Sequence, residues 1–186
     1  MPTKTHTTAV VLIPPETIQS PIQDIRKIHD RSYIRWMPHI TMLYPFAPTT
    51  EFPDVIDTLE KSAKQNSAFT VTLATFYAFK HRKSSTMFLA PEPDNNIKKL
   101  HKTLINNLPD YDDTARFPNG FTPHLSVGQF QHKTLIQEQE RLQSNWKPIQ
   151  FTVDSIFLIY RSQETDDRFV VAEDFRLTPF KDIENI

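Results

Sequence analysis

The decapeptide MPHITMLYPF, residues 37–46, decides how this chain is read. Its apolar residues alternate as in a half-buried strand, yet His39 and Thr41 take successive positions on one face. A strand that only packs would carry apolar side chains there. The irregularity recurs in FTPHLSVGQF, residues 121–130, where His124 and Ser126 stand in the same relation. In both places a proline precedes the histidine and a hydroxyl follows two residues on: Pro38-His39-Ile40-Thr41 and Pro123-His124-Leu125-Ser126.

The flanking patterns alternate helices with strands. Residues 9–13, closed by Pro14 and Pro15, predict a buried strand, and Ser20-Pro21 offers an N-cap and a first-turn proline to a helix carrying Ile22, Ile25 and Ile28. Helical spacing returns over 54–65, 97–108 and 134–146. Strands are predicted over 69–79 and 86–90, joined by the basic loop KHRKSS, and over 151–160 and 169–177, joined by SQETDD. The order His-strand, helix, strand, strand therefore occurs twice. Strands in consecutive pairs point to an α+β fold with largely antiparallel sheets.

Composition narrows the chemistry. With 186 residues, 38% hydrophobic, 23% charged and a net charge of −1, the chain has the make-up of a globular domain. Nothing in the total charge favours broad binding to long nucleic acid or anionic membrane. Cysteine is absent, which rules out disulfides, thiolate-zinc sites and cysteine nucleophiles. Gly120 and Gly128 are the only glycines, so a Gly-rich phosphate loop or a GxSxG nucleophile elbow cannot be built. Any phosphate must be held by side chains. The apolar run at 9–13 is too short for a signal peptide or a membrane span, so a cytoplasmic protein is expected.

Two imidazoles, each beside a hydroxyl, suit in-line displacement at phosphorus. One neutral imidazole takes a proton from the attacking oxygen while a protonated one supplies the leaving oxygen, and an ordinary pKa near 6.5 serves both roles. The hydroxyls of Thr41 and Ser126 can hold the non-bridging oxygens. No metal or cofactor is needed, and HExxH is absent. His6, His29, His81, His101 and His132 lack this repeated context and are read as structural or solvated.

The paired motifs His39-Ile40-Thr41 and His124-Leu125-Ser126, 85 residues apart, resemble the 2H phosphoesterase superfamily. RWMPHITMLYPF and FTPHLSVGQF are similar to its 2′-5′ RNA ligase-like branch. The resemblance implies one bilobal domain over residues 1–186, its two antiparallel-sheet lobes related by a pseudo-twofold axis, with outer helices and a central cleft. It implies His39 and His124 as the acid/base pair, with Thr41 and Ser126 on the phosphate, acting on 2′,5′ linkages or 2′,3′-cyclic phosphates. The implied partner is a small nucleotide, an oligonucleotide or an RNA end, met by a monomer with no obligate protein partner and no membrane. The alternatives are a non-catalytic RNA-end or nucleotide-binding module of the same fold, or a 3′ RNA-end processing nuclease or ligase.

Tyr44 and Gln129 sit five residues after each histidine, where some relatives place a substrate contact. Strict alternation puts both on the wrong face, so a role for them requires a bulge or a strand end. Arg161 is a candidate phosphate ligand, Tyr160 a candidate base-stacking ring, and Arg35-Trp36 borders the cleft or pins the loop entering the strand.

Overall fold

The two histidine strands lie at the edges of two different sheets. The computed structural model describes residues 3–163 and 167–180. In chain order its strands and α-helices are β1 (Thr8–Leu12), α1 (Ser20–His29), β2 (Ile40–Leu43), α2 (Phe52–Lys64), β3 (Phe69–Lys80), β4 (Ser85–Glu92), α3 (Asn95–Asn107), β5 (Leu125–Phe130), α4 (Leu135–Asn145), β6 (Ile149–Val153), β7 (Ser155–Tyr160) and β8 (Val170–Arg176). One sheet has the order β2-β1-β7-β8 and the other β5-β4-β3-β6, with every neighbouring pair antiparallel. His39 and His124 stand just before the edge strands β2 and β5. The α+β class and the two-sheet arrangement follow the sequence reading.

Two expectations need correcting. The predicted strand over 151–160 is two strands, because the chain breaks pairing at Asp154: β6 pairs with β3 in one sheet and β7 with β1 in the other. The strand pattern on either side of Asp154 carries no mark of which sheet it joins. The order His-strand, helix, strand, strand does occur twice, as β2-α2-β3-β4 and β5-α4-β6-β7. β3 crosses into the second sheet, where β6 pairs with it, and β7 and β8 return to the first. Finally, Ser20 is the first residue of α1, and no side chain caps that helix. Of the SQETDD turn, residues 164–166 lie outside the described residues.

β6 pairs with β3 only over Phe69–Leu73, although β3 continues to Lys80. The backbone groups exposed beyond need partners, and α4 with the residue after it supplies them. Gln143 accepts from the Phe76 N–H at 2.9 Å and donates to Ala74 O at 2.9 Å. Gln139 donates to Phe76 O at 2.7 Å, and Trp146 Nε1 to Leu73 O at 2.8 Å. A continuous apolar cluster runs from Val10, Leu12 and Leu158 of the first sheet to Val71, Met87 and Leu125 of the second. A smaller one, Ala9, Val11, Ile159 and Phe169, covers the other face of the first sheet, with Trp36 and Tyr44 packed on it.

Candidate active site

β2 and β5 approach one another, and the cleft between the sheets, about 710 Å³, is lined by His39, Thr41, His124 and Ser126. The two histidines are held in the same way. His39 Nδ1 donates to Met37 O at 2.7 Å, and His124 Nδ1 to Thr122 O at 2.8 Å. A carbonyl can only accept, so Nδ1 carries the proton in both rings and Nε2 is left for chemistry. The proline between each carbonyl and its histidine has a fixed φ and turns the carbonyl back toward the ring. The repeated Pro-His pair is thus a device for setting a tautomer.

Each ring is also backed by aromatics. Trp36 stacks on His39 at 4.5 Å between centroids and on Phe169 at 3.8 Å. His124 meets Phe79 edge-on at 5.0 Å and Phe88 at 5.5 Å. Removal from water disfavours the imidazolium and lowers both pKa values. That of His39 falls to about 4, chiefly through burial, opposed by its bond to Met37 O and reinforced by the positive charges of Arg26 and His124. His124 is lowered by burial and partly restored by its bond to Thr122 O.

Both strands carry a bulge at the same offset. β1 pairs Val11 with Thr41 and Val10 with Leu43, skipping Met42. β4 pairs Phe88 with Ser126 and Met87 with Gly128, skipping Val127. One extra residue reverses the alternation, so Tyr44 and Gln129 return to the histidine face and line the cleft. Their fivefold spacing has a physical cause.

Gln129 is held in a network. Its Oε1 accepts from Arg31 N at 3.0 Å, and its Nε2 reaches Asp30 Oδ1 at 3.4 Å. Asp30 in turn pairs with the buried Arg26 at 2.9 Å, and Arg26 donates to Trp36 O at 2.9 Å. Arg26 and Asp30 line the cleft and tie the backbone beneath the Trp36–His39 stack to the strand that follows His124.

Tyr160 and Arg161 are not brought into the cleft lining. Ile159 belongs to the cluster beneath Trp36, so alternation turns Tyr160 to the other side of the sheet, 38% exposed. Arg161 lies over Phe169 at 5.6 Å and donates to Ser162 O; burial raises the pKa of Tyr44, and the charge of Arg161 only partly opposes this. Of the other histidines, His29 stacks on Phe130, His101 on Phe121, and His132 bonds Ser85 Oγ at 3.1 Å. His81, read from sequence as a loop residue, lines the cleft and bonds Thr86 Oγ1 at 3.0 Å. Arg26, Phe79, Arg116 and Phe117 also line it without having been expected. Among the described residues no group of three or more His, Asp or Glu side chains is arranged to hold a metal ion, and no helix is long and apolar enough to cross a membrane.

Two four-stranded antiparallel sheets with a histidine at the edge of each, facing one cleft, define the class: a 2H phosphoesterase. The chain belongs to the 2′-5′ RNA ligase superfamily, whose model matches residues 14–165. Among curated proteins it is 26% identical over 154 residues to one from Oceanobacillus iheyensis that bears the name "Putative phosphoesterase", covering 82% of this chain and 88% of that one. A Geobacillus kaustophilus protein of the same name is 28% identical over 121 residues, 64% of this chain and 67% of that one. Among solved structures, TT0787 of Thermus thermophilus matches with a TM-score of 0.62 at 16% identity, covering 93% of this chain and 98% of that one. Escherichia coli LigT in its apo form matches with a TM-score of 0.62 at 15% identity, covering 95% and 99%.

Proposed function

We propose that the protein is a metal-independent phosphodiesterase that cleaves 2′,5′-phosphodiester bonds or hydrolyses 2′,3′-cyclic phosphates of nucleotides or RNA ends. The observation that carries this reading is the matched locking of the two imidazoles, each by Nδ1–H to the carbonyl two residues back, in one cleft. His39, the ring held neutral by burial, serves as base, and His124 as acid. For a 2′-5′ bond the neighbouring 3′-hydroxyl gives its proton to His39 Nε2 and bonds to phosphorus. The bond from phosphorus to O5′ breaks, and O5′ takes the proton from His124 Nε2, leaving a 2′,3′-cyclic phosphate and a free 5′-hydroxyl. With a cyclic substrate, water replaces the attacking hydroxyl and the ring ester oxygen leaves. Thr41 and Ser126 hold the non-bridging oxygens.

A nucleotide substrate draws support from the fold relative LigT, whose structures include complexes with 3′-AMP, NADP+, ATP and phosphate. The test is turnover of 2′-5′ and 3′-5′ oligonucleotides and 2′,3′-cyclic nucleotides in EDTA, with products identified by mass. His39→Ala and His124→Ala are each expected to lose roughly 10²–10⁴-fold in kcat, and EDTA to change nothing. Full activity of the double variant overturns the proposal. Tight binding without product from the unaltered chain replaces it with a non-catalytic module.

A further inference from the structure

Beyond His124 the cleft is open, and a shaped arm borders it. The segment 112–122 leads directly into Pro123-His124 and is fixed at both ends. Asp112 Oδ1 accepts from Thr114 N at 3.0 Å, Thr114 Oγ1 at 2.7 Å and Ala115 N at 3.2 Å. At the far end Phe121 lies flat on the buried His101, 3.8 Å between centroids with 5° between planes. Between them Gly120, at a φ of 60° that favours glycine, donates to Phe117 O at 2.9 Å. Yet the ring this frame presents, Phe117, is 52% exposed, with the Arg116 guanidinium 5.1 Å from it. Ordering a segment to hold an aromatic ring in water costs entropy and gains little burial.

The His39 side of the cleft is built differently. There the ring nearest the histidine, Trp36, is already engaged, stacked on His39 and packed against Phe169. Lys80 and Arg116 line the cleft together with His124, while Arg26, beside His39, is paired with Asp30, the carboxylate among the described lining residues. An exposed aromatic ring with a guanidinium over it suits a nucleobase.

We infer that the Arg116–Phe117 arm binds the nucleoside that departs from phosphorus, so that the substrate class is an oligonucleotide rather than a lone cyclic nucleotide. This rests on the phosphodiesterase reading above and specifies it. The attacking hydroxyl loses its proton to His39 as the new P–O bond forms. The bond to O5′ of the arm-held nucleoside breaks, and His124 protonates that oxygen.

The test compares kcat/KM for a 2′-5′ dinucleotide, for the same compound with a methyl group in place of the leaving nucleoside, and for a 2′,3′-cyclic mononucleotide. Phe117→Ala is expected to lower the ratio of dinucleotide to cyclic nucleotide kcat/KM roughly 10–100-fold, chiefly through KM. Phe117→Trp should keep that ratio, and the methyl ester should show no response to Phe117→Ala. Calorimetric affinity for the non-cleavable 3′-deoxy dinucleotide should fall by the same factor. An unaltered ratio with unaltered affinity, or an equal loss on all three substrates, overturns the inference. If His39→Ala and His124→Ala are inactive while Phe117→Ala loses nothing, only the arm assignment fails; if those histidine variants stay active, the underlying reading fails.

Discussion

His39 shows how a residue's surroundings set its chemistry. Its pKa, about 4, means that it loses its competence as a base only as the pH nears that value, well below the ordinary 6.5. In the proposed mechanism His124 must be protonated to act as acid, and burial holds its pKa below 6.5 too. The profile of kcat/KM against pH is therefore expected to be a bell with its maximum on the acid side of 6.5, measured at constant ionic strength. The same shift links to stability. Between 6.5 and about 4 the unfolded imidazole binds a proton that the folded one refuses, so stability falls as the pH drops through this window. His39→Gln should flatten that decline in a series of thermal melts. Arg26 sets a second test: its side chain and that of Asp30 are 2% and 4% exposed, so Arg26→Met leaves a carboxylate buried without its partner. That change is expected to cost about 3–5 kcal/mol in urea denaturation.

Among the elements, the matched bulges contribute most to the site. They convert Tyr44 and Gln129 from residues facing the wrong way into cleft residues, and β5 accommodates its bulge because Gly128 has no side chain. A Cβ at Gly128 would lie 2.5 Å from His29 Cβ and 2.7 Å from His29 backbone atoms, so α1 ends directly on the bulge. Gly128→Ala is expected to cost about 1–3 kcal/mol and to raise KM by displacing Gln129, which equilibrium unfolding and steady-state kinetics would read separately. Much of this site was legible in the sequence, because Pro-His-Ile-Thr and Pro-His-Leu-Ser repeat both the chemistry and its periodicity. The bulges appeared there only as a misplaced pair of residues. The break at Asp154 was marked only by the polar pair Asp154-Ser155, and the sheets that β6 and β7 join are set by partners distant in sequence. Arg26, Phe79 and Phe117 were hidden for a similar reason: they resemble ordinary helix, strand and loop residues until tertiary contacts bring them to His39 and His124.

At the scale of the molecule, each sheet takes strands from both halves of the chain, β3 in the second and β7 and β8 in the first, and the shared apolar cluster spans both. Neither sheet can be completed without the other half of the chain. We propose on this ground that the lobes are one cooperative domain, expected to unfold in urea in a single transition seen alike by tryptophan fluorescence and far-UV circular dichroism. Two separated transitions would show lobes that fold independently. The halves meet at the short turn between β3 and β4, where His81 N donates to Ser84 O at 2.9 Å and His81, Arg82 and Lys83 are exposed. A chain severed there yields two fragments, each with one of the paired histidines and each missing a strand that the other carries. Such halves are expected to regain their shape, and to bring His39 and His124 to one cleft, only on meeting.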